Sequence, residues 1–133
     1  MFDINKEDLT ISITRGDEAS FFVSATDDSE GEAKPYVFKP GDVVRINVHE
    51  KKNCEKVYIQ KDFPIGADTE KVEIYLSGEE TKIGEIISKP KEYWYEISLN
   101  PDTDPQTIIG YDKNGAKLFM LYPEGGEFKK EGE

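Results

Sequence analysis

The sequence predicts an all-β fold, an antiparallel β-sandwich of about 7–9 strands with one short helical crossover. Three observations predict it. Apolar and polar residues alternate in short runs along most of the chain, the period-two pattern of half-buried strands. Gly, Pro, Asn and Asp turns separate the runs at intervals of about 8–15 residues. Between successive runs there is no room for the helices that parallel βαβ units require.

Taken in order, Leu9, Ile11 and Ile13 alternate with Thr10, Ser12 and Thr14 to give a first strand. Arg15-Gly16-Asp17 makes a turn, and Phe21–Thr26 reads as a second strand, so residues 9–26 are expected to form a hairpin. The Arg-Gly-Asp triplet also spells an integrin ligand, but a tight turn between strands calls for glycine in any case. Asp27–Glu32 is an acidic loop that lacks the ligand spacing and closing glutamate of a calcium site. Tyr36-Val37-Phe38 is extended, and Lys39-Pro40-Gly41-Asp42 turns the chain. Val44, Ile46 and Val48 alternate with Arg45, Asn47 and His49, which places the only histidine on the solvent side or at the strand end.

Past a turn at Lys51–Glu55, Val57 and Ile59 alternate with Tyr58 and Gln60 until Pro64 breaks the strand. Val72, Ile74 and Leu76 alternate with Glu73 and Tyr75. Residues 79–86 are the one helical piece, short enough to be a single turn crossing between sheets, with Ser77 and Glu80 as a capping-box pair. Tyr93–Leu99 is the densest aromatic stretch, carrying Tyr93, Tyr95, Ile97 and Leu99 on one face and the only tryptophan, Trp94, on the other. Either Tyr93 or Tyr95 is placed for a tyrosine corner whose hydroxyl returns to upstream backbone. Asn100, Asp102 and Asp104 resemble half an EF-hand loop, but Pro105 and Tyr111 stand where its glycine and glutamate belong. Two last strands, 107–111 and 116–122, flank Asn114-Gly115 as a hairpin. The organisation is a lead-in over 1–8, one immunoglobulin-like β-sandwich domain over 9–122, and a flexible acidic tail over 123–133.

Composition bounds the chemistry. The chain has 133 residues and a formal charge of −11, from 17 basic and 28 acidic residues. Such a surface repels phosphate backbones and acidic membranes, so neither nucleic acid nor membrane is an expected partner. Cys54 is the only cysteine, which rules out an intrachain disulfide framework and multi-cysteine zinc sites. Neither a cationic leader with an apolar run nor a span-length apolar segment occurs, so a cytoplasmic protein is expected. With one histidine, one thiol in a polar run and no Gly-rich phosphate loop, no enzyme, metal or cofactor is expected.

Three landmarks carry a resemblance. They are the Leu9–Asp17 segment followed by a strand from Phe21, the Phe38–Asp42 turn before Val44–Val48, and the Tyr93–Leu99 strand followed by an Ile-rich strand and a short last one. Over most of residues 9–122 they resemble small immunoglobulin-like phage or prophage proteins and the N-terminal domain of tailed-phage baseplate upper proteins. The resemblance implies a structural or accessory module of a bacterial virus that packs against other virion or tail proteins or against itself. It would be made in the bacterial cytoplasm and then carried in the virion. Baseplate upper proteins continue into a long fibre-forming region, which this chain does not match.

A second expectation is a carbohydrate-binding β-sandwich whose exposed aromatics stack on sugars. Trp94, Tyr58 and Tyr75 are the candidate binding residues, Trp94 and Tyr75 for a protein contact and all three for sugars, because large amphipathic rings on the polar side of a strand are suited to interfaces.

Overall fold

The structure, a computed structural model, describes residues 2–4, 9–27, 31–50, 56–110 and 117–124. Among them are eleven strand segments and no helix. The strands are β1 (Phe2–Ile4), β2 (Ile11–Thr14), β3 (Ala19–Val23), β4 (Thr26–Asp27), β5 (Lys34–Pro35), β6 (Val43–His49), β7 (Val57–Pro64), β8 (Val72–Leu76), β9 (Lys91–Leu99), β10 (Gln106–Ile109) and β11 (Lys117–Tyr122).

A seven-stranded sheet runs in the order β1-β2-β11-β9-β6-β7, with β10 also on β9. β9 is its axis. On one side it pairs with β6 over Trp94–Leu99, and on the other with β11 over Lys91–Tyr95 and β10 over Ile97–Leu99. β11 lies parallel to β2, so the sheet is mixed rather than wholly antiparallel as its short connections suggested. β3 and β8 form a separate two-stranded antiparallel sheet, and β4 and β5 another.

The core follows from the alternation. Tyr93, Tyr95, Ile97 and Leu99 of β9 are buried together with Val44, Ile46 and Val48 of β6 and Phe119 and Leu121 of β11. Ala19 and Val23 of β3 and Val72, Ile74 and Leu76 of β8 join the same cluster, so the buried faces of the two sheets share one core. Their burial is the main stabilising term of the fold.

Four expectations are corrected. The strands expected as a hairpin over 9–26 part company: β2 joins β1 and β11, whereas β3 crosses to β8. The Arg15–Asp17 turn is thus a corner between sheets. The expected hairpin of the last two strands is replaced by two strands set end to end along one edge of β9. Its Asn114-Gly115 turn lies outside the described residues, as do Cys54 and most of the tail.

The helical crossover does not form either. The capping pair is made, with the Glu80 amide donating to Ser77 Oγ (3.2 Å) and the Ser77 amide to Glu80 Oε1 (2.8 Å). Only one turn follows, closed by the Thr81 amide on the Ser77 carbonyl. Ile83 is then drawn into the core, and Gly84 takes a φ of +66°, a conformation helices exclude. Core burial outweighs the weak helical preference of a short segment.

His49 is the fourth. It is 4% exposed, not solvent-facing. It stands on the outer side of the large sheet with Trp94 as its cross-strand neighbour on β9 and Val57 on β7. A strand flanked on both sides can bury a residue that its own alternation marks as outward.

Gly78 packs the crossover against the Arg15–Asp17 corner. A Cβ there would lie 2.5 Å from the Gly16 carbonyl oxygen, which is backbone and has little freedom to yield. Gly78→Ala is expected to destabilise the fold by about 1–3 kcal/mol, read as a lower urea midpoint with an unchanged m-value.

Candidate interaction surface

The outward side of the β3–β8 sheet carries the most exposed aromatic surface among the described residues. On β3 the inward phase is Ala19, Phe21 and Val23, which sends Ser20 and Phe22 out. On β8 the inward phase is Val72, Ile74 and Leu76, which sends Glu73 and Tyr75 out. The register sets Phe22 opposite Glu73 and Ser20 opposite Tyr75, so rings and polar groups alternate across the face. Phe22 is 59% exposed and Tyr75 39%.

Polar contacts fix this face. Ser20 Oγ donates to Glu73 Oε2 at 2.5 Å. Lys71 Nζ lies 4.7 Å from the Phe22 ring centre and Lys61 Nζ 5.0 Å from that of Tyr75. Lys61 also donates to the Tyr75 carbonyl and to Glu80 Oε1, both at 2.7 Å. Partial burial and the adjacent Glu18 carboxylate hold the Tyr75 phenol above its ordinary pKa. Beside Phe22 an open groove runs between Val23-Ser24 and Asp68–Lys71, with Val37 also lining it.

Of the three residues the sequence singles out, only Tyr75 lies on this face. Trp94 stands half-buried on the outer side of the large sheet, between Leu118 of β11 and His49 of β6. Tyr58 is turned by a bulge. Val48 pairs with Ile59 and His49 with Val57, so Tyr58 is the extra residue. Its ring meets the buried Tyr93 edge-on at 5.3 Å, while Val57 becomes exposed. Trp94, Tyr58 and Tyr75 therefore do not form one stacking platform. Phe22 was missed as a surface residue. The signal for it was the phase set by Ala19 and Val23, but Phe21-Phe22 reads equally well as a doubly apolar core pair.

The loops weighed as calcium sites have different fates. Part of 27–32 lies outside the described residues. In the 100–104 turn, Asn100 Oδ1 accepts from the Val43 amide (2.8 Å) and its Nδ2 donates to Asp42 Oδ1 (3.1 Å). Asp102 pairs with Arg45, whose guanidinium also grips Asp62. These groups tie the turn to β6 and β7. No cluster of three or more His, Cys, Asp or Glu placed to hold a metal occurs among the described residues. No helix long and apolar enough to cross a membrane occurs among them.

The Arg-Gly-Asp turn is likewise absorbed into the structure. Arg15 donates to the Ile83 carbonyl (3.3 Å), the Gly84 carbonyl (3.1 Å) and Glu124 Oε1 (2.6 Å), so the triplet is not displayed as an adhesive motif.

Three carboxylates are held below their ordinary pKa. For Asp62 the hydrogen bonds from Arg45 lead. For Asp42 burial acts upward, but the Lys39 amide, Asn100 and Tyr36 outweigh it. For Glu80 burial again acts upward and is outweighed by Lys61 and Ser77. A lowered folded pKa contributes stability above the unfolded value, near 4, that is lost as pH falls through the folded one. Tm is therefore expected to drop as pH is lowered from about 5. In thermal melts Asp62→Asn should reduce that drop, and an unchanged acid slope would show that Asp62 has no part in it.

No protein-family model matches this chain, and no characterised protein or solved structure matches it either.

Proposed function

We propose that this protein is an immunoglobulin-like β-sandwich module of a phage or prophage, non-enzymatic, working by packing against other virion proteins or against itself. The single observation that carries the reading is the outward β3–β8 face, where Phe22 and Tyr75 expose aromatic surface held in place by lysines and carboxylates. Rings kept in one geometry lose little entropy on docking, which suits a permanent contact. The arrangement of strands supports the sandwich part of the reading. The large mixed sheet centred on β9 and the smaller β3–β8 sheet share one buried core, as the two layers of a sandwich would. The three sequence landmarks point to tailed phages.

Particle fractionation tests it. After prophage induction in the bacterium that encodes the chain, its peptides are expected to sediment with tail particles and the module to persist in purified virions. Recovery of all the protein at the top of the gradient, away from any particle, would overturn the reading.

A further inference from the structure

We propose that the free edge of β3 receives an extended, basic segment of another protein as an added strand. The inference rests on reading the chain as an interaction module and names the kind of partner it takes.

Strand edges in this fold are guarded, with one exception among the described residues. β1 has only three residues, β4 and β5 have two each, and β10 is short with an irregular register against β9. β7 carries a bulge at Tyr58 and ends in Pro64. At the edge of β8, Lys61 already occupies the Tyr75 carbonyl. Among the described residues β3 pairs only with β8, and Ala-Ser-Phe-Phe-Val holds no lysine, no proline and no bulge. Short edges, charges, prolines and bulges are how soluble proteins prevent unwanted strand pairing. Their absence from this edge alone marks it as one meant to be paired.

The surroundings define the occupant. On the inner side Phe21 is only half-buried and stacks on Phe2 at 6.0 Å, so apolar residues of an added strand would extend the core over it. On the outer side are Glu18, Phe22 and Glu73, and Asp68, Glu70 and Lys71 line the groove at the end of the strand. The complementary strand alternates apolar residues inward with lysine or arginine outward, where carboxylates outnumber the cation Lys71, which already stands over Phe22. Self-pairing is opposed by charge. It would bring together two chains that each carry a net charge of −11.

The test uses the full chain and three synthetic nine-residue peptides: alternating Lys and Val, the same peptide N-methylated at every second residue, and alternating Glu and Val. Binding is followed by fluorescence anisotropy at low and high salt. The Lys-Val peptide is expected to bind and to weaken with salt. N-methylation, which removes the strand's hydrogen bonds but not its charge, should cost about tenfold or more, as should Phe22→Ser and Glu18→Lys. Equal binding of the methylated peptide would reduce the effect to charge alone and overturn the proposal. So would equal binding of the Glu-Val peptide, or no binding by millimolar concentration. Light scattering that shows a dimer abolished by Phe22→Ser would make the occupant a second copy, again overturning it. Each of these failures leaves the particle-fractionation result standing, so the module reading and the strand-addition inference fail separately.

Discussion

Tyr95→Ala is expected to cost about 3–5 kcal/mol, the largest loss from any single truncation considered, with Tm falling by more than about 10 °C. Tyr95 lies on β9 with sheet neighbours on both sides, its Cα paired to Val48 and to Lys117, and its ring buried in the shared core. Truncation leaves a cavity that a rigid central strand cannot collapse to fill. The hydroxyl adds a second function. It donates to the Leu9 carbonyl at 2.5 Å, and Leu9 has a φ of +62°, a strained conformation for a branched residue. The link clamps the entry to β2 in that conformation. Tyr95→Phe keeps the ring and loses only this bond, and should cost about 1 kcal/mol. Equilibrium denaturation of the two variants separates packing from clamp. A loss below about 1 kcal/mol for Tyr95→Ala would remove β9 from the centre of the core.

Arg15→Ala should follow closely, at about 3 kcal/mol. Its guanidinium is largely buried at 10% side-chain exposure, against 18% for Glu124. It joins the corner between the sheets to the crossover carbonyls and to the segment after β11 in one side chain. Removing it leaves carbonyls and a carboxylate short of a donor, which costs more than the bonds gained by making them. Arg15→Lys keeps the charge but not the fork, and should recover less than half of the loss. Hydrogen exchange gives a second readout. The Gly16 amide, which donates to Thr81 Oγ1, is expected to lose protection in Arg15→Ala before the β9 amides do. Uniform loss of protection would mean that Arg15 acts on the whole fold and not on the corner.

For Tyr95 the sequence did indicate a hydroxyl returning to upstream backbone, but not how far upstream. The acceptor is a residue at the start of the chain, not the neighbouring corner of an immunoglobulin-type tyrosine motif. For Arg15 the sequence offered a turn and an adhesive triplet, and nothing local marked the arginine as an anchor. Its partners lie more than sixty residues away along the chain.

The same division holds throughout. Alternation determined which side of each strand is apolar, because side chains on a pleated strand must point to opposite faces. That was enough for the all-β class, for the cores of β6, β8 and β9, and for Tyr75 on an outward face. The capping pair of Ser77 and Glu80 was legible too, since it depends on residues three apart. Which strands pair was decided only in three dimensions. β2 and β3 are neighbours in sequence but belong to different sheets, because both buried faces had to meet in one core. Tertiary structure also turned Tyr58 inward through one extra residue, buried His49 between two neighbouring strands, and drew Ile83 into the core. It left Phe22 exposed beside the unguarded edge of β3. Local pattern reports what a residue prefers to face, and only the finished packing decides what stands there to meet it.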